Sequence, residues 1–196
     1  MLHVGITGNI GSGKSTVGKY LISKGYFVFD SDEFVSTIYK DKKYSNIKDQ
    51  IKQLFPECVK NQRLIKKCIK RIIFDDINKK EQLEKILHPV VIDQIIKLKR
   101  SISENKSYKK KHAFFIVPLL YEKKLEYLFD EIWVVFAPKN VCIQRIVDRD
   151  KIDQNLAEKI MESQMDPLEK VKKADKVIIN DKTISELYKQ IQNFIK

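Results

Sequence analysis

Eight residues near the N-terminus have the types and spacing needed to bind phosphate. They fit the pattern G-x-x-x-x-G-K-S/T and run Gly8-Asn9-Ile10-Gly11-Ser12-Gly13-Lys14-Ser15. Glycines let a turn bring its N–H groups close to an anion, and the dipole of a following helix adds to the attraction. In such loops the lysine reaches the β and γ phosphates, and the last hydroxyl binds Mg²⁺. We therefore predict that residues 8–13, with Lys14, Ser15 and Thr16, bind the phosphates of ATP, and that Ser15 is a Mg²⁺ ligand.

The residues on either side of this loop favour the strand and helix that it requires. Residues 2–7 form a short β-branched run typical of a buried strand. Residues 16–22 place Val17, Tyr20 and Leu21 at helical spacing. This order of strand, glycine turn and helix is the context that makes the pattern specific for nucleotide phosphates.

Two carboxylates follow the next apolar segment. Residues 26–29 predict a second buried strand, which ends at Asp30-Ser31-Asp32. Ligands of open α/β sheets bind beyond the carboxyl ends of the strands, so Asp30 and Asp32 are candidate site residues. A helix is predicted from about 33 to 39 with Ser31 or Asp32 as its N-cap, so one of the two carboxylates can have a capping role alone.

The residue that follows the third predicted strand, residues 113–117, bears on which carboxylate holds Mg²⁺. In many phosphate-loop proteins a second strand ends in an aspartate that holds Mg²⁺, but this strand is followed by Pro118. The carboxylate must therefore come from elsewhere in the chain, and Asp30 and Asp32 are the natural source. We assign Asp30 to the Mg²⁺ site, where its carboxylate is expected to orient either the waters of the ion or the Lys14 ammonium.

Two of the five arginines in the chain lie together near the C-terminal third. Arg145 and Arg149 are four residues apart in a helix predicted over 141–150, so they share one face. Guanidinium groups on a mobile helix pair can offset the charge of a transferring phosphoryl group. We predict a helical lid that carries both arginines; the alternative is that they only support the helix through neighbouring polar side chains.

The composition indicates a globular chain of one domain. It has 196 residues, of which 43% are hydrophobic and 33% charged, enough for a substantial core. No apolar run reaches the ~18 residues of a membrane span, and no secretory signal is visible at the N-terminus. The three cysteines, Cys58, Cys68 and Cys142, are widely spaced and form no CxxC pair. We expect a cytoplasmic protein with no membrane partner, no disulfide and no zinc site.

The charge is strongly positive, but it does not favour a nucleic-acid partner. The formal net charge is +12, yet the lysines are dispersed and mixed with acidic residues. Specific readers of nucleic acid rely on arginine forks, and a dispersed charge mainly reports solubility. We expect a solvated lysine-rich surface, no nucleic-acid partner, and a monomer or weak homo-oligomer.

The strands and helices alternate along the chain. Further apolar strands are predicted at 132–136 and 177–179, and an amphipathic helix closes the chain. The pattern predicts an α/β fold, a parallel doubly wound sheet of about five strands. Its core is expected over about 1–31, 112–138 and 174–196, with the lid over about 139–173.

Between residues 42 and 105 no strand is convincing. Apolar residues recur at helical spacing, and Pro56 and Pro89 are expected to separate the helices. This stretch is too long for a plain crossover. We predict a helical insert over about 32–108 that binds the substrate. His88, at an expected helix boundary, is a candidate substrate contact because its ring can titrate near neutral pH.

Several segments in this order resemble the dephospho-CoA kinase family, and the resemblance covers nearly the whole chain. The matching segments are residues 6–16, Asp30-Ser31-Asp32, Leu87-His88-Pro89, residues 117–122, the Arg145/Arg149 pair, Gln164 and residues 174–180. The resemblance implies transfer of the ATP γ-phosphoryl group to the ribose 3′-hydroxyl of dephospho-CoA, which gives CoA. It also implies a CoA-binding helical domain, a lid, Asp32 as general base, and Thr7, Asp32 and His88 as substrate contacts.

Three positions depart from the family's pattern. Ser31 replaces the usual alanine, Cys142 replaces a glutamine one turn before the first lid arginine, and Asp181 replaces a common glycine. None of them lies in the phosphate loop, so the expected ATP site is unaffected while details of the lid are open.

Two other functions stay open on the sequence. The first is a P-loop kinase for another small metabolite, nucleoside or nucleotide. The second is a nucleotide-switched binding module, although the chain has no N-K-x-D guanine-reading motif.

Overall fold

The computed structural model describes residues Met1–Lys196, and two points in the chain divide it into two units. The first unit contains Met1–Asp30 and Ser101–Lys196, and the second contains Ser31–Arg100. The helical insert predicted over about 32–108 ends later than this second unit, whose boundary falls inside the helix Ile77–Glu104.

The strands and helices are distributed unequally between these units. The strands are β1 (Leu2–Thr7), β2 (Phe27–Asp30), β3 (Val59–Lys60), β4 (Arg63–Leu64), β5 (His112–Ile116), β6 (Glu131–Phe136) and β7 (Lys176–Ile179). The helices are α1 (Lys14–Ser23), α2 (Ser31–Ile38), α3 (Ser45–Leu54), α4 (Lys66–Asp75), α5 (Ile77–Glu104), α6 (Lys139–Asp150), α7 (Gln154–Glu162), α8 (Pro167–Lys172) and α9 (Ile184–Phe194). Short 3₁₀ helices cover Lys42–Tyr44, Pro56–Cys58 and Glu126–Leu128. None of the helices combines the length and apolar character needed to cross a lipid bilayer.

The first unit is built on a five-stranded sheet in the order β2-β5-β1-β6-β7. Every neighbouring pair is parallel, and central β1 places Ile6 beside Ile116 of β5 and Trp133 of β6. Parallel strands are covered by helices on both faces, which is why these strands are almost uniformly apolar. The predicted α/β fold with a five-stranded parallel sheet is confirmed. The chain order reverses beside β1, the position where such sheets form a ligand crevice.

The helices α1 and α9 pack against the core of this sheet. Tyr20 of α1 and Tyr188 of α9 stack with their ring centroids 4.1 Å apart. Beneath them Trp133 is fully buried and meets Phe114 and Phe194 edge-on. Each buried side chain of this size contributes roughly 1.5–3 kcal/mol or more to folding. The rigid core therefore fixes β1 and α1, the two elements that flank the phosphate loop.

The second unit has its own apolar core, formed by α2 to α5. Its buried members are Ile38, Ile51, Phe55, Cys58, Ile69, Leu83 and Leu87. Helix α2 begins at Ser31, directly after β2, so Ser31 and Asp32 lie in its first turn and neither is the N-cap that was expected.

A small hairpin corrects the expectation that this stretch contains no strand. β3 and β4 pair antiparallel, with Lys60 opposite Arg63. The two residues between them, Asn61 and Gln62, have φ values of 49° and 62°. Positive φ at both central residues is typical of the tight turns that suit twisted hairpins. The hairpin was missed because its strands are two residues long and carry no alternating pattern.

Helix α5 corrects the expected break at His88-Pro89. It runs without interruption over 28 residues with Pro89 inside it. A proline inside a helix costs about 3 kcal/mol or more. Against this cost, α5 buries an apolar row at helical spacing, Leu83, Leu87, Val91 and Ile95, each worth roughly 1.5–3 kcal/mol. Packing therefore outweighs the local preference of proline.

A disulfide joins Cys58 and Cys68 in the second unit, so the expectation that the chain has none is wrong. Their Cα atoms are 5.4 Å apart although ten positions separate them in sequence. The β3–β4 hairpin reverses the chain between the two cysteines and brings the start of α4 back to Cys58. Cys142 is buried and free. The argument for a reducing compartment from cysteine usage therefore loses its basis.

Candidate functional site

The turn between β1 and α1 has the backbone shape of a phosphate cradle. Gly8 and Gly13 have φ values of 145° and 103°, which residues with a side chain rarely adopt. An added Cβ on Gly8 would collide with the Val135 carbonyl, and one on Gly13 with the amide of Asn180. These two positions therefore require glycine for both conformation and space.

The start of α1 is open to an anion. Gly13 is its N-cap and provides no side-chain hydrogen bond, and the first turn has no acidic residue. The leading N–H groups of a helix lack internal partners and carry the positive end of the dipole. A phosphate group fits this position, and the residues present therefore suit ATP.

Lys14 lies over the loop as predicted for a phosphate-binding lysine. Its Nζ donates hydrogen bonds to the carbonyls of Gly8, at 2.7 Å, and Asn9, at 3.0 Å. The ammonium is thus held at the mouth of the loop, where nucleotide phosphates can take over as acceptors. Ser15 and Thr16 follow in the first turn of α1, and Ser15 is exposed.

The Mg²⁺ ligands predicted at Ser15 and Asp30 are oxygen donors, the type that this ion prefers. Asp30 is the last residue of β2 and pairs with Ile116 of β5 at the carboxyl edge of the sheet. No group of three or more His, Cys, Asp or Glu side chains is placed to hold a metal by itself. Mg²⁺ commonly takes one or two protein ligands together with waters and nucleotide phosphates. The residues therefore fit a Mg²⁺ ion that arrives with ATP.

A second segment of the first unit holds the outer side of the loop. The N–H of Ile10 donates to Gln164 Oε1 at 2.8 Å, and Asn9 Nδ2 donates to the Met165 carbonyl at 2.9 Å. Sequence reasoning noted Gln164 only through the family pattern and gave it no role. Met165 acts through its backbone, which its residue type does not reveal.

The turn after β7 supports the loop from the other side. Asn180 Nδ2 donates to the Ser12 carbonyl at 2.7 Å, and Arg145 donates to the carbonyls of Gly11 and Asn180, both at 3.2 Å. Arg145 of α6 is therefore joined directly to the phosphate loop. Asn180 was quoted in the family pattern, but this contact with Ser12 was not foreseen.

Arg149 takes a different direction from Arg145. Its guanidinium pairs with Asp150 through two contacts of 2.9 Å, and these hydrogen bonds raise the pKa of Arg149. The two arginines share a helix, but the structure brings only Arg145 to the loop. Contact of Arg149 with a phosphate stays a prediction.

Cys142, the departure from the family's glutamine, lies beneath the loop. Its side chain is fully buried, and its Sγ is 3.6 Å from the Ala137 carbonyl. Burial raises the pKa of the thiol, which keeps it neutral. Cys142 therefore packs in an apolar cluster with Ala137 and Met161 and offers no polar group to a ligand.

The predicted substrate contacts lie on different parts of the chain. Thr7 is fully buried and its hydroxyl donates to the Pro118 carbonyl at 3.0 Å. Asp32 is exposed in the second unit and lines an open cavity with Glu33, Ser36, Thr37 and Lys40. His88 is half-buried within α5, beside Leu87 of the second unit's core.

We expect Arg145 and Arg149 to act on the rate more than on substrate binding. Arg145→Ala and Arg149→Ala should each lower kcat by about 10²-fold, the lower end of the range for removing one donor to developing charge. Arg149→Lys should restore activity only in part, because an ammonium lacks the bidentate fork. Steady-state kinetics with both substrates varied measures this, and exposed Arg100→Ala is the matched control. Full activity in both alanine variants would mean that α6 is only scaffold.

The glycine turn between a central parallel strand and a helix, with Lys14, Ser15 and Arg145 around it, defines a P-loop kinase fold. The family model described as dephospho-CoA kinase matches residues 2–186. A curated relative named dephospho-CoA kinase, from Fusobacterium nucleatum, is 38% identical over 196 residues, covering 99% of this chain and 97% of the relative. The chain belongs to the dephospho-CoA kinase family.

Solved structures agree with this relationship. A structure from Thermus thermophilus superposes with a TM-score of 0.82 at 31% identity, covering 99% of this chain and 95% of the other. The dephospho-CoA kinase from Campylobacter jejuni superposes with a TM-score of 0.63 at 25% identity, covering 98% and 95%.

Proposed function

We propose that this chain transfers the γ-phosphoryl group of ATP to the ribose 3′-hydroxyl of dephospho-CoA, the last step in the formation of CoA. The observation that carries the proposal is the family match over residues 2–186, in a chain whose phosphate loop has the required geometry. The alternative of a kinase for another metabolite shares the loop but not this match. The alternative of a nucleotide-switched binding module has no comparable support.

The loop binds and orients the triphosphate. Backbone N–H groups of the loop and of the start of α1 surround its phosphates, apart from those of Ile10 and Ser12, which are bonded to Gln164 and to the Asn9 carbonyl. Lys14 Nζ exchanges its two carbonyl acceptors for phosphate oxygens. Ser15 and Asp30, together with waters, would hold Mg²⁺, which would supply neutralisation of the phosphate charge. Phosphoryl transfer depends mainly on this positioning and on electrostatic stabilisation.

A carboxylate accepts the proton of the attacking hydroxyl. The ribose 3′-oxygen bonds to the γ-phosphorus, the bond to the β-phosphate oxygen breaks, and ADP leaves. We assign the proton to Asp32, because an exposed carboxylate in the first turn of α2 can meet a substrate group. Asp30, at the end of β2, is assigned to orienting the Mg²⁺ waters or Lys14 and not to proton transfer. Arg145 and Arg149 offset charge on the transferring group.

The acceptor is assigned to the second unit with His88 as one contact, since the first unit supplies the nucleotide site. Thr7 contributes by fixing the entry to the loop, because its hydroxyl is bonded to Pro118. The reaction takes place among small molecules and needs neither nucleic acid nor a second subunit. Because it consumes ATP, we place it in the cytoplasm.

Release of ADP with and without dephospho-CoA tests the proposal. ADP should form only when dephospho-CoA is present, and mass spectrometry should locate one added phosphate on the 3′ position. CoA, whose 3′ position already carries phosphate, should not react and is the matched control. Transfer to a nucleoside or another metabolite, with dephospho-CoA untouched, would favour the metabolite-kinase alternative. Nucleotide binding without any acceptor would favour the binding module.

A further inference from the structure

Lys170 is a charged residue in an unusual place. It lies in α8 and is fully buried, the one Lys, Arg, Asp or Glu among the buried residues. Burial lowers its pKa, while the hydrogen bond and charge of Glu122 act in the opposite direction. A buried ammonium is costly even when it is paired, and an apolar side chain would pack at less cost. The position of its partners indicates what the charge does.

Lys170 joins two acceptors, each of which leads to the phosphate loop through further hydrogen bonds. Its Nζ is 2.8 Å from Glu122 Oε1 and 3.3 Å from the Pro118 carbonyl. The same Pro118 carbonyl accepts the hydroxyl of Thr7, the residue directly before Gly8. One ammonium is thereby connected to the start of the loop.

The second connection reaches the middle of the loop. Glu122 Oε1 also accepts the Met165 N–H at 3.0 Å. Met165 and Gln164 in turn hold Asn9 and Ile10 through the two bonds described above. All of these residues belong to the first unit. Hydrogen bonds therefore connect Lys170 through Glu122 to the segment 164–165, and connect that segment to the Asn9 side chain and the Ile10 N–H.

We propose that Lys170 and Glu122 are positioning residues for ATP: their buried ion pair holds residues 164–165 against the loop, so that its N–H groups are in place before the phosphates bind. The proposal rests on nucleotide binding at this loop, as proposed above, and is independent of the acceptor's identity. Preorganised donors need no rearrangement when charge arrives, so loss of this support lowers affinity for the nucleotide and the rate together.

Calorimetric titration of MgATP without any acceptor is the primary test, followed by kinetics with each substrate varied. Lys170→Met, which keeps the length and apolar character of the side chain, should weaken MgATP binding and lower kcat/KM for ATP, by up to about 10²-fold. The KM for dephospho-CoA should change less than about twofold, because the effect is local to the nucleotide site. A general destabilisation of the protein would instead change the constants for both substrates. Lys170→Arg should restore part of the ATP affinity. Exposed Lys172→Met, two residues along α8, is the control and should leave both constants unchanged.

Two further variants keep the test decisive if Lys170→Met fails to fold. Glu122→Gln combined with Lys170→Met removes both charges and avoids leaving one buried alone. Gln164→Ala removes the bond to Ile10 without touching the ion pair, and it should weaken MgATP binding in the same selective way. A folded double variant and a Gln164→Ala protein that both bind MgATP normally would overturn the proposal. Because the titration needs no acceptor, failure with dephospho-CoA would count against the proposed reaction alone.

Discussion

Lys14→Ala is expected to lower kcat by about 10²–10³-fold, the loss typical of removing one preorganised donor to developing charge. In the free protein the Lys14 ammonium is bonded to the Gly8 and Asn9 carbonyls. When ATP binds, the phosphates replace these carbonyls, and the charge is best used as negative charge shifts toward the leaving group. The variant should therefore lose rate far more than it loses acceptor binding.

The measurement is ADP release under saturating substrates, together with thermal unfolding of the same preparation. Folding should survive, because Lys14 is the first residue of α1 and is only half-buried. Lys19→Ala, on the exposed face of the same helix, is the matched control and should keep full activity. Near-normal turnover by a folded Lys14→Ala protein would contradict the phosphate-loop assignment.

Asp32→Asn is expected to lose about 10²–10⁴-fold in kcat, the usual span for general acid–base catalysis. A ribose hydroxyl is a poor nucleophile at neutral pH, and the amide that replaces the carboxylate cannot accept its proton. ATP binding should persist, because Asp32 lies outside the loop and in the second unit. Neighbouring Glu33→Gln, also exposed in the first turn of α2, is the control for charge alone.

The Mg²⁺ dependence of the rate distinguishes the two aspartates. If Asp32 is the base, Asp32→Asn should lower kcat at every Mg²⁺ concentration, and Asp30→Asn should instead raise the Mg²⁺ concentration needed for half-maximal rate. The opposite result, with kcat lost at saturating Mg²⁺ only in Asp30→Asn, would transfer the role of base to Asp30.

The parts of this molecule that could be predicted from sequence are those that local chemistry determines. The loop is recognisable because glycines, lysine and serine must stand at fixed offsets in one short segment. The five parallel strands are recognisable because each is a buried apolar run, such as residues 113–117, bounded by polar turns. The strand and helix boundaries then differ by only a few residues, since helix and strand ends are weakly specified.

The remaining features depend on contacts between distant segments. Pro89 predicts a helix end by itself, but the buried row from Leu83 to Ile95 overrides it. The Cys58–Cys68 bond depends on a hairpin of two-residue strands that no periodicity reveals. Lys170 is one lysine among many in the sequence, and only its burial against Glu122 and Pro118 sets it apart.

The position of Trp133 has a consequence for spectroscopy. It is the single tryptophan of the chain and is fully buried in the first unit, so intrinsic fluorescence excited at the indole band reports on that unit alone. Far-UV circular dichroism senses the helices of both units. Dithiothreitol opens Cys58–Cys68 and removes a constraint on the unfolded second unit, a change worth a few kcal/mol. A denaturation midpoint that shifts with reductant in the dichroism but not in the fluorescence identifies two separate transitions, whereas a common shift identifies one cooperative unfolding step.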